Sequence, residues 1–147
     1  MILTKDRKIS YNLYIGVKFS VGRTLEVMSK KKILIVDDEM FVRKIVAKAL
    51  EKEGYLVYIG NDGKDGLIKA DSYKPDLVVT DLSMPNMNGL EFALQLKKKN
   101  IPVIIVSAHA TSNVINKLNL LNVKEILTKP FELDILFSAV KKVLGEV

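Results

Sequence analysis

No cysteine occurs among the 147 residues, so neither a disulfide framework nor a thiolate metal site is open to this chain. Histidine is nearly as scarce. His109 is the single one, and zinc binding or a nucleophilic triad would need partners that the sequence does not supply. No run of about 18 apolar residues is present, so no membrane-spanning helix is expected. The amino terminus alternates polar and apolar residues and lacks the continuous apolar block of a secretory signal. These absences suit a reducing, cytoplasmic setting. A concentrated basic face is missing too. The net charge is +6, but residues 1–30 hold six bases against two acids, and the remainder is close to balance. Lys97-Lys98-Lys99 is the one basic run in that remainder, and it reads as a solvated helix end, where cations suit the helix dipole. Direct binding of nucleic acid is therefore not expected.

What is present is a 48% hydrophobic composition, enough for one real core in a chain of this length. From Lys32 onward, short apolar runs alternate with helical patterns. Ile33-Leu34-Ile35-Val36, Leu56 to Ile59, Leu77-Val78-Val79-Thr80, Val103-Ile104-Ile105-Val106 and Ile126-Leu127-Thr128 read as five strands. Between and after them, Phe41 to Glu53, Gly66 to Tyr73, Leu90 to Lys99, Ser112 to Leu121 and Leu133 to Leu144 read as helices. Val42, Ile45, Val46, Ala49 and Leu50 form the expected buried stripe of the first, and Leu133, Leu136, Phe137, Val140 and Leu144 that of the last. Asn61-Asp62-Gly63 reads as a turn. Such alternation predicts an α/β fold: a parallel sheet with helices on both faces and right-handed crossovers.

In such a sheet, function collects at the carboxyl ends of the strands. Asp37 and Asp38 follow the first strand, Asp81 ends the third, Ser107 ends the fourth and Lys129 follows the fifth. Taken singly, an Asp-Asp pair reads as a cap or turn, and Lys-Pro as a loop. Together, at successive strand ends, they describe a cluster of carboxylates that repel one another unless a cation intervenes. Oxygen ligands of this kind suit magnesium, and a lysine and a hydroxyl beside it complete a phosphoryl pocket.

The motifs Ile33-Leu34-Ile35-Val36-Asp37-Asp38-Glu39, Asp81-Leu82-Ser83-Met84-Pro85 with Gly89, Ser107-Ala108 and Lys129-Pro130-Phe131 resemble those of receiver domains of two-component response regulators. The resemblance runs from Lys31 to Val147. It implies a doubly wound, flavodoxin-like sheet of strand order 2-1-3-4-5, with Asp81 as phosphoacceptor. It further implies magnesium held by Asp37, Asp38, Asp81 and the Ser83 backbone carbonyl. Lys129 would contact the phosphoryl group and Ser107 would act as the switch hydroxyl. The Lys129–Pro130 peptide is expected to be cis. The implied donors are a sensor histidine kinase or a phosphotransfer protein. The implied output is a protein contact at the fourth helix, fifth strand and fifth helix. Slow self-dephosphorylation is expected, with Ser83 and His109 at the mouth of the site.

Two features depart from the family pattern. Ile126 stands where many receivers carry an aromatic residue, and no Phe, Tyr or Trp occurs between Ile101 and Pro130. Residues 1–30 have no counterpart in the motifs. There Ile9, Tyr11, Leu13, Ile15, Val17, Phe19 and Val21 fall on every second position, a strand pattern. This extension reads either as a strand or hairpin that pairs with a sheet edge or a second chain, or as an upstream artefact of translation starting at Met28. Two other functions compete: a magnesium-dependent phosphatase with an aspartyl nucleophile, and a binding module that is never phosphorylated. Ser83 argues against the first, because such enzymes usually carry a second Asp at that position. The intact set Asp37, Asp38, Asp81, Ser107 and Lys129 argues against the second.

Overall fold

A computed structural model describes residues 10–12, 18–20 and 30–146. The chain forms two compact units, Met1–Lys30 and Lys31–Val147. In the first, β1 (Ser10–Asn12) pairs antiparallel with β2 (Lys18–Ser20), Ser10 opposite Ser20. The rest of the predicted alternation between Ile9 and Val21, and the Met28 start, lie outside the described residues.

The second unit runs β3 (Lys32–Val36), α1 (Met40–Lys52), β4 (Leu56–Gly60), α2 (Gly63–Tyr73), β5 (Leu77–Asp81), α3 (Gly89–Lys98), β6 (Val103–Ser107), α4 (Ser112–Asn119), β7 (Val123–Thr128) and α5 (Leu133–Val143). The sheet is parallel in the order β4-β3-β5-β6-β7. Counted from β3, this is the predicted order 2-1-3-4-5.

The central strands β3, β5 and β6 are apolar except at their ends because both of their faces are covered. Successive side chains leave on opposite faces, so each strand feeds two cores. Ile33, Ile35, Leu77, Val79, Ile104 and Val106 pack with Val46 and Leu50 of α1 and Leu136 and Val140 of α5. Leu34, Val36, Val78, Val103 and Ile105 pack with Ala70 of α2, Phe92 and Leu96 of α3 and Leu118 of α4. Each such side chain contributes about 1.5–3 kcal/mol by leaving water. The summed burial anchors the strand ends, and the strand ends carry the polar residues.

The structure departs locally from the sequence pattern. Helix α2 begins at Gly63, within the predicted turn, because Asp62 caps it by accepting the Asp65 N–H at 2.8 Å. It ends where Lys74 turns left-handed, at φ 49°, just before Pro75. Ile45, placed on the buried stripe of α1, is exposed, and so is Leu133 of α5. Strand β7 starts at Val123, three residues before the predicted Ile126, because the sheet supplies a backbone partner, Val103, for residues with no apolar pattern of their own.

One glycine fixes the loop after β5. The Gly89 N–H donates to the Leu82 carbonyl at 2.8 Å, folding residues 82–89 back onto the strand end. A Cβ at Gly89 would stand 2.6 Å from the Asp81 carbonyl oxygen and 2.7 Å from the Leu82 Cα, both backbone atoms that cannot rotate away. Gly89→Ala is therefore expected to cost about 1–3 kcal/mol of stability, measured as a lower urea midpoint. An unchanged midpoint would show that this loop is free to shift.

Candidate functional site

The winding direction reverses between β3 and β5. Their connections leave on opposite sides and open a crevice at the carboxyl edge, the usual ligand position in such sheets. Val36 lies level with Thr80, so the next residues, Asp37 and Asp81, emerge side by side. On the far side of β5, Ser107 pairs with Thr128, which places Lys129 one step beyond. Residues far apart in sequence thus share one edge.

Asp37, Asp81 and Ser107 are buried, whereas Asp38 and Glu39 are exposed. Carboxylate oxygens of Asp37, Asp38, Glu39 and Asp81 lie within 4.8 Å of one another. The Lys129 ammonium reaches into this cluster, 3.0 Å from Asp81 Oδ2 and 3.3 Å from Asp37 Oδ2. The remaining oxygens are held from the backbone. The Ser83 N–H donates to Asp81 Oδ1 at 3.1 Å, and the Glu39 N–H to Asp37 Oδ1 at 2.9 Å. Ser107 is pinned twice: its carbonyl accepts the Lys129 N–H at 2.8 Å, and its hydroxyl accepts the His109 N–H at 3.2 Å. The Lys129–Pro130 peptide is cis.

The electrostatics are those of a site with too little positive charge. Burial raises the pKa of Asp37, and the neighbouring Asp81 adds to the rise; the Glu39 N–H and Lys129 oppose it without cancelling it. Burial alone would lower the pKa of Lys129, but its hydrogen bond to Asp81 and the charges of Asp37 and Asp81 outweigh this and raise it. One ammonium is shared by two buried carboxylates, with two more acids at the rim. A divalent cation bound by oxygen ligands suits that surplus of negative charge, and so fits the residues present.

Outside the acids, an open cleft of about 650 Å³ runs past Ser107 and His109, with Leu82, Met84, Leu90 and Val114 along it. Ser83 and His109 are exposed and line this cleft. Ile126 is half-buried and packs on the core beside α4, as does Val114. Among the described residues, three participants escaped the sequence reading. Glu39 joins the acid cluster, and its position directly after the Asp pair was the available signal. Arg43 donates to the Asp37 carbonyl at 2.6 Å, as its place one helical turn beyond Glu39 permits. The apolar residues along the cleft come from three separate segments and had no shared signal in the sequence.

Residues 33–141 match the family model of the response regulator receiver domain. The chain is 35% identical over 119 residues to sporulation initiation phosphotransferase F of Bacillus subtilis, covering 80% of this chain and 96% of that protein. It is 39% identical over 115 residues to response regulator ArlR of Staphylococcus epidermidis, covering 76% of this chain but only 52% of ArlR. The crystal structure of a CheY-like receiver domain protein from Methanospirillum hungatei superposes with a TM-score of 0.77 at 28% identity, covering 80% of this chain and 95% of that one.

The raised pKa of Asp37 carries a stability consequence. A carboxyl group whose folded-state pKa lies above its ordinary 3.8 favours folding most at pH values below 3.8, and that contribution is lost as pH rises through the folded value. At neutral pH without divalent cations, ionised Asp37 therefore opposes folding. Asp37→Asn is expected to raise the thermal midpoint at pH 7, with the gain shrinking as pH falls toward 3.8. A variant less stable than wild type at pH 7 would mean that the Lys129 contact outweighs burial.

Proposed function

Because this chain belongs to the family of response regulator receiver domains, we propose that Asp81 is the residue that accepts the phosphoryl group. The observation that carries this reading is the Asp81 carboxylate itself. It ends a central strand, it is gripped by Lys129 at 3.0 Å and by the Ser83 N–H at 3.1 Å, and it opens onto the cleft. We further take residues 31–147 as the receiver and residues 1–30 as an amino-terminal extension.

In the proposed reaction, an Asp81 carboxylate oxygen attacks the phosphorus of a phosphohistidine in line. The P–N bond breaks, its electron pair stays with the imidazole nitrogen, and Asp81 becomes an acyl phosphate. Magnesium, held by Asp37, Asp38, Asp81 and the Ser83 carbonyl, would neutralise the crowded oxygens. The Lys129 ammonium is placed to follow charge from the carboxylate to the transferred oxygens, which needs little movement. The Ser107 hydroxyl supplies a hydrogen bond to the same group. It accepts the His109 N–H, so any shift of Ser107 moves the β6–α4 loop with it. With Ile126 in place of an aromatic, that loop, and not a ring flip, carries the change to α4, β7 and α5, the proposed output face.

The proposed donor is a sensor histidine kinase or a phosphotransfer protein. Beside the acids, α1 exposes Met40, Phe41 and Ile45, with Phe41 75% accessible. Apolar side chains clustered next to a charged site suit a protein partner. No helix among the described residues is long and apolar enough to cross a membrane, and we propose a cytoplasmic location.

The deciding experiment is labelling by acetyl phosphate with and without magnesium. Wild type should be labelled only with magnesium, and Asp81→Asn not at all. Full labelling of the variant would remove Asp81 from the role, and rapid phosphate release by wild type with no label accumulating would favour the phosphatase reading.

His109 and Ser83 flank the approach of water to the phosphorus. Serine is small, so the imidazole is the larger obstacle or guide. His109→Ala should change the decay of the labelled state about threefold, equivalent to roughly 0.7 kcal/mol in the barrier, while uptake of label stays intact. Equal decay rates would make His109 an ordinary loop residue.

A further inference from the structure

Asp37 and Asp38 stand on a three-residue turn, 37–39, that lies beyond the sheet ladder, whose last β3 residue is Val36. Their aim toward a cation therefore depends on what holds this turn. The usual device is missing: Glu39, the N-cap of α1, makes no side-chain capping bond, and the first turn of α1 has no acid. The turn is closed instead by Asp37, whose Oδ1 accepts the Glu39 N–H at 2.9 Å, and by Arg43. The Arg43 backbone N–H donates to the Glu39 carbonyl at 3.1 Å, and its guanidinium donates to the Asp37 carbonyl at 2.6 Å. The first is the opening bond of the helix, which any residue at this position would make; the second belongs to the arginine side chain and ties the helix back to the start of the turn.

Arg43 is half-buried, and its charge adds in a small way to the lowering of the Asp65 carboxyl pKa, for which the Asn61 N–H is the largest cause. Asp65 is tied to the Asn61 N–H at 2.9 Å and to Lys69 at 3.0 Å, and Lys69 donates to the Ile59 carbonyl at 2.6 Å. Arg43 itself bonds the Asp37 carbonyl, in the turn that follows β3. A guanidinium is suited to this because its planar donors fix an angle as well as a distance.

We propose that Arg43 is a positioning residue of the acid site: by pinning the Asp37 carbonyl it sets the direction of the Asp37 and Asp38 carboxylates toward the bound cation. This rests on the reading of the site as a magnesium-dependent phosphoacceptor. Positioning and plain electrostatics predict opposite signs. Arg43 is a cation near a cation site, so by Coulomb's law alone its removal should tighten magnesium binding. If it positions ligands, its removal should weaken binding despite that relief.

The test is magnesium affinity by titration calorimetry, with thermal unfolding recorded for every variant. Arg43→Met keeps the apolar stem and loses the donor; it should weaken magnesium on the order of tenfold, the usual scale for an outer partner of a metal ligand. Arg43→Lys, which retains a charged donor, should recover most of that loss. Lys44→Met removes an exposed charge from the same helix and has no such bond, and it should leave affinity unchanged or slightly tighter. Affinity equal to or tighter than wild type in Arg43→Met overturns the proposal. If that variant does not unfold cooperatively, Arg43→Lys is compared with Arg43→Leu, which has no donor, and equal affinities overturn it. Magnesium binding indifferent to Arg43 sinks this proposal alone. A wild-type chain that binds no magnesium sinks the phosphoacceptor reading and this proposal together.

Discussion

Two buried carboxylates side by side at the ends of adjacent parallel strands, with one ammonium between them, are the constraint on which the rest of this structure depends. Like charges at this separation repel, and burial raises the cost because water no longer screens them. The Asp37–Lys129–Asp81 contact offsets only part of that cost, as the raised pKa of Asp37 attests. The uncompensated negative charge suits a divalent cation, which would find its oxygen ligands already gathered.

Such crowding persists only on a rigid support. The support is the pair of apolar cores that sandwich the sheet, with Ile33, Leu77 and Ile104 fully buried on one face and Leu34, Val78 and Ile105 on the other. Parallel strands with both faces covered cannot slide or splay without exposing those residues. Their carboxyl ends are therefore fixed points, and the loops hung on them are defined by a few short bonds: Gly89 to Leu82, Ser107 to Lys129, and Arg43 to Asp37. Each joins a loop beside the site to a neighbouring segment.

The route outward from the pocket follows the same logic. Ser107 belongs to β6 through its carbonyl and to the β6–α4 loop through its hydroxyl. Ile126 lies on the neighbouring strand, packed on the core beside α4, and fills with an aliphatic group a position that resembles an aromatic site in related sequences. A branched aliphatic side chain has no ring to swing between a buried and an exposed pose. In the proposed mechanism, main-chain movement of the loop carries the change instead.

Much of this was legible in the sequence because it depends on local pattern. Short, fully apolar runs read as strands of a covered sheet, and their alternation with helical stripes specifies the class of fold. Asp37, Asp38, Asp81, Ser107 and Lys129 could be grouped because each sits where a strand ends, and parallel strands end on one edge. Tertiary structure decided what pattern cannot carry. Ile45 suits a helical stripe as well as Val46 does, yet α1 turns it to solvent, because the width of the covered face is set by the sheet and by α5. Val123 has no strand signal of its own and acquires one from the backbone of Val103. The recruitment of Glu39 and Arg43 was hidden for the same reason: a carboxylate at a helix N-cap, or a guanidinium one turn further on, reads as surface charge until the ends of β3 and β5 show what it faces. Side-chain type and spacing determine which segments form and which edge they share. Distances between groups far apart in the chain are set only when the cores close.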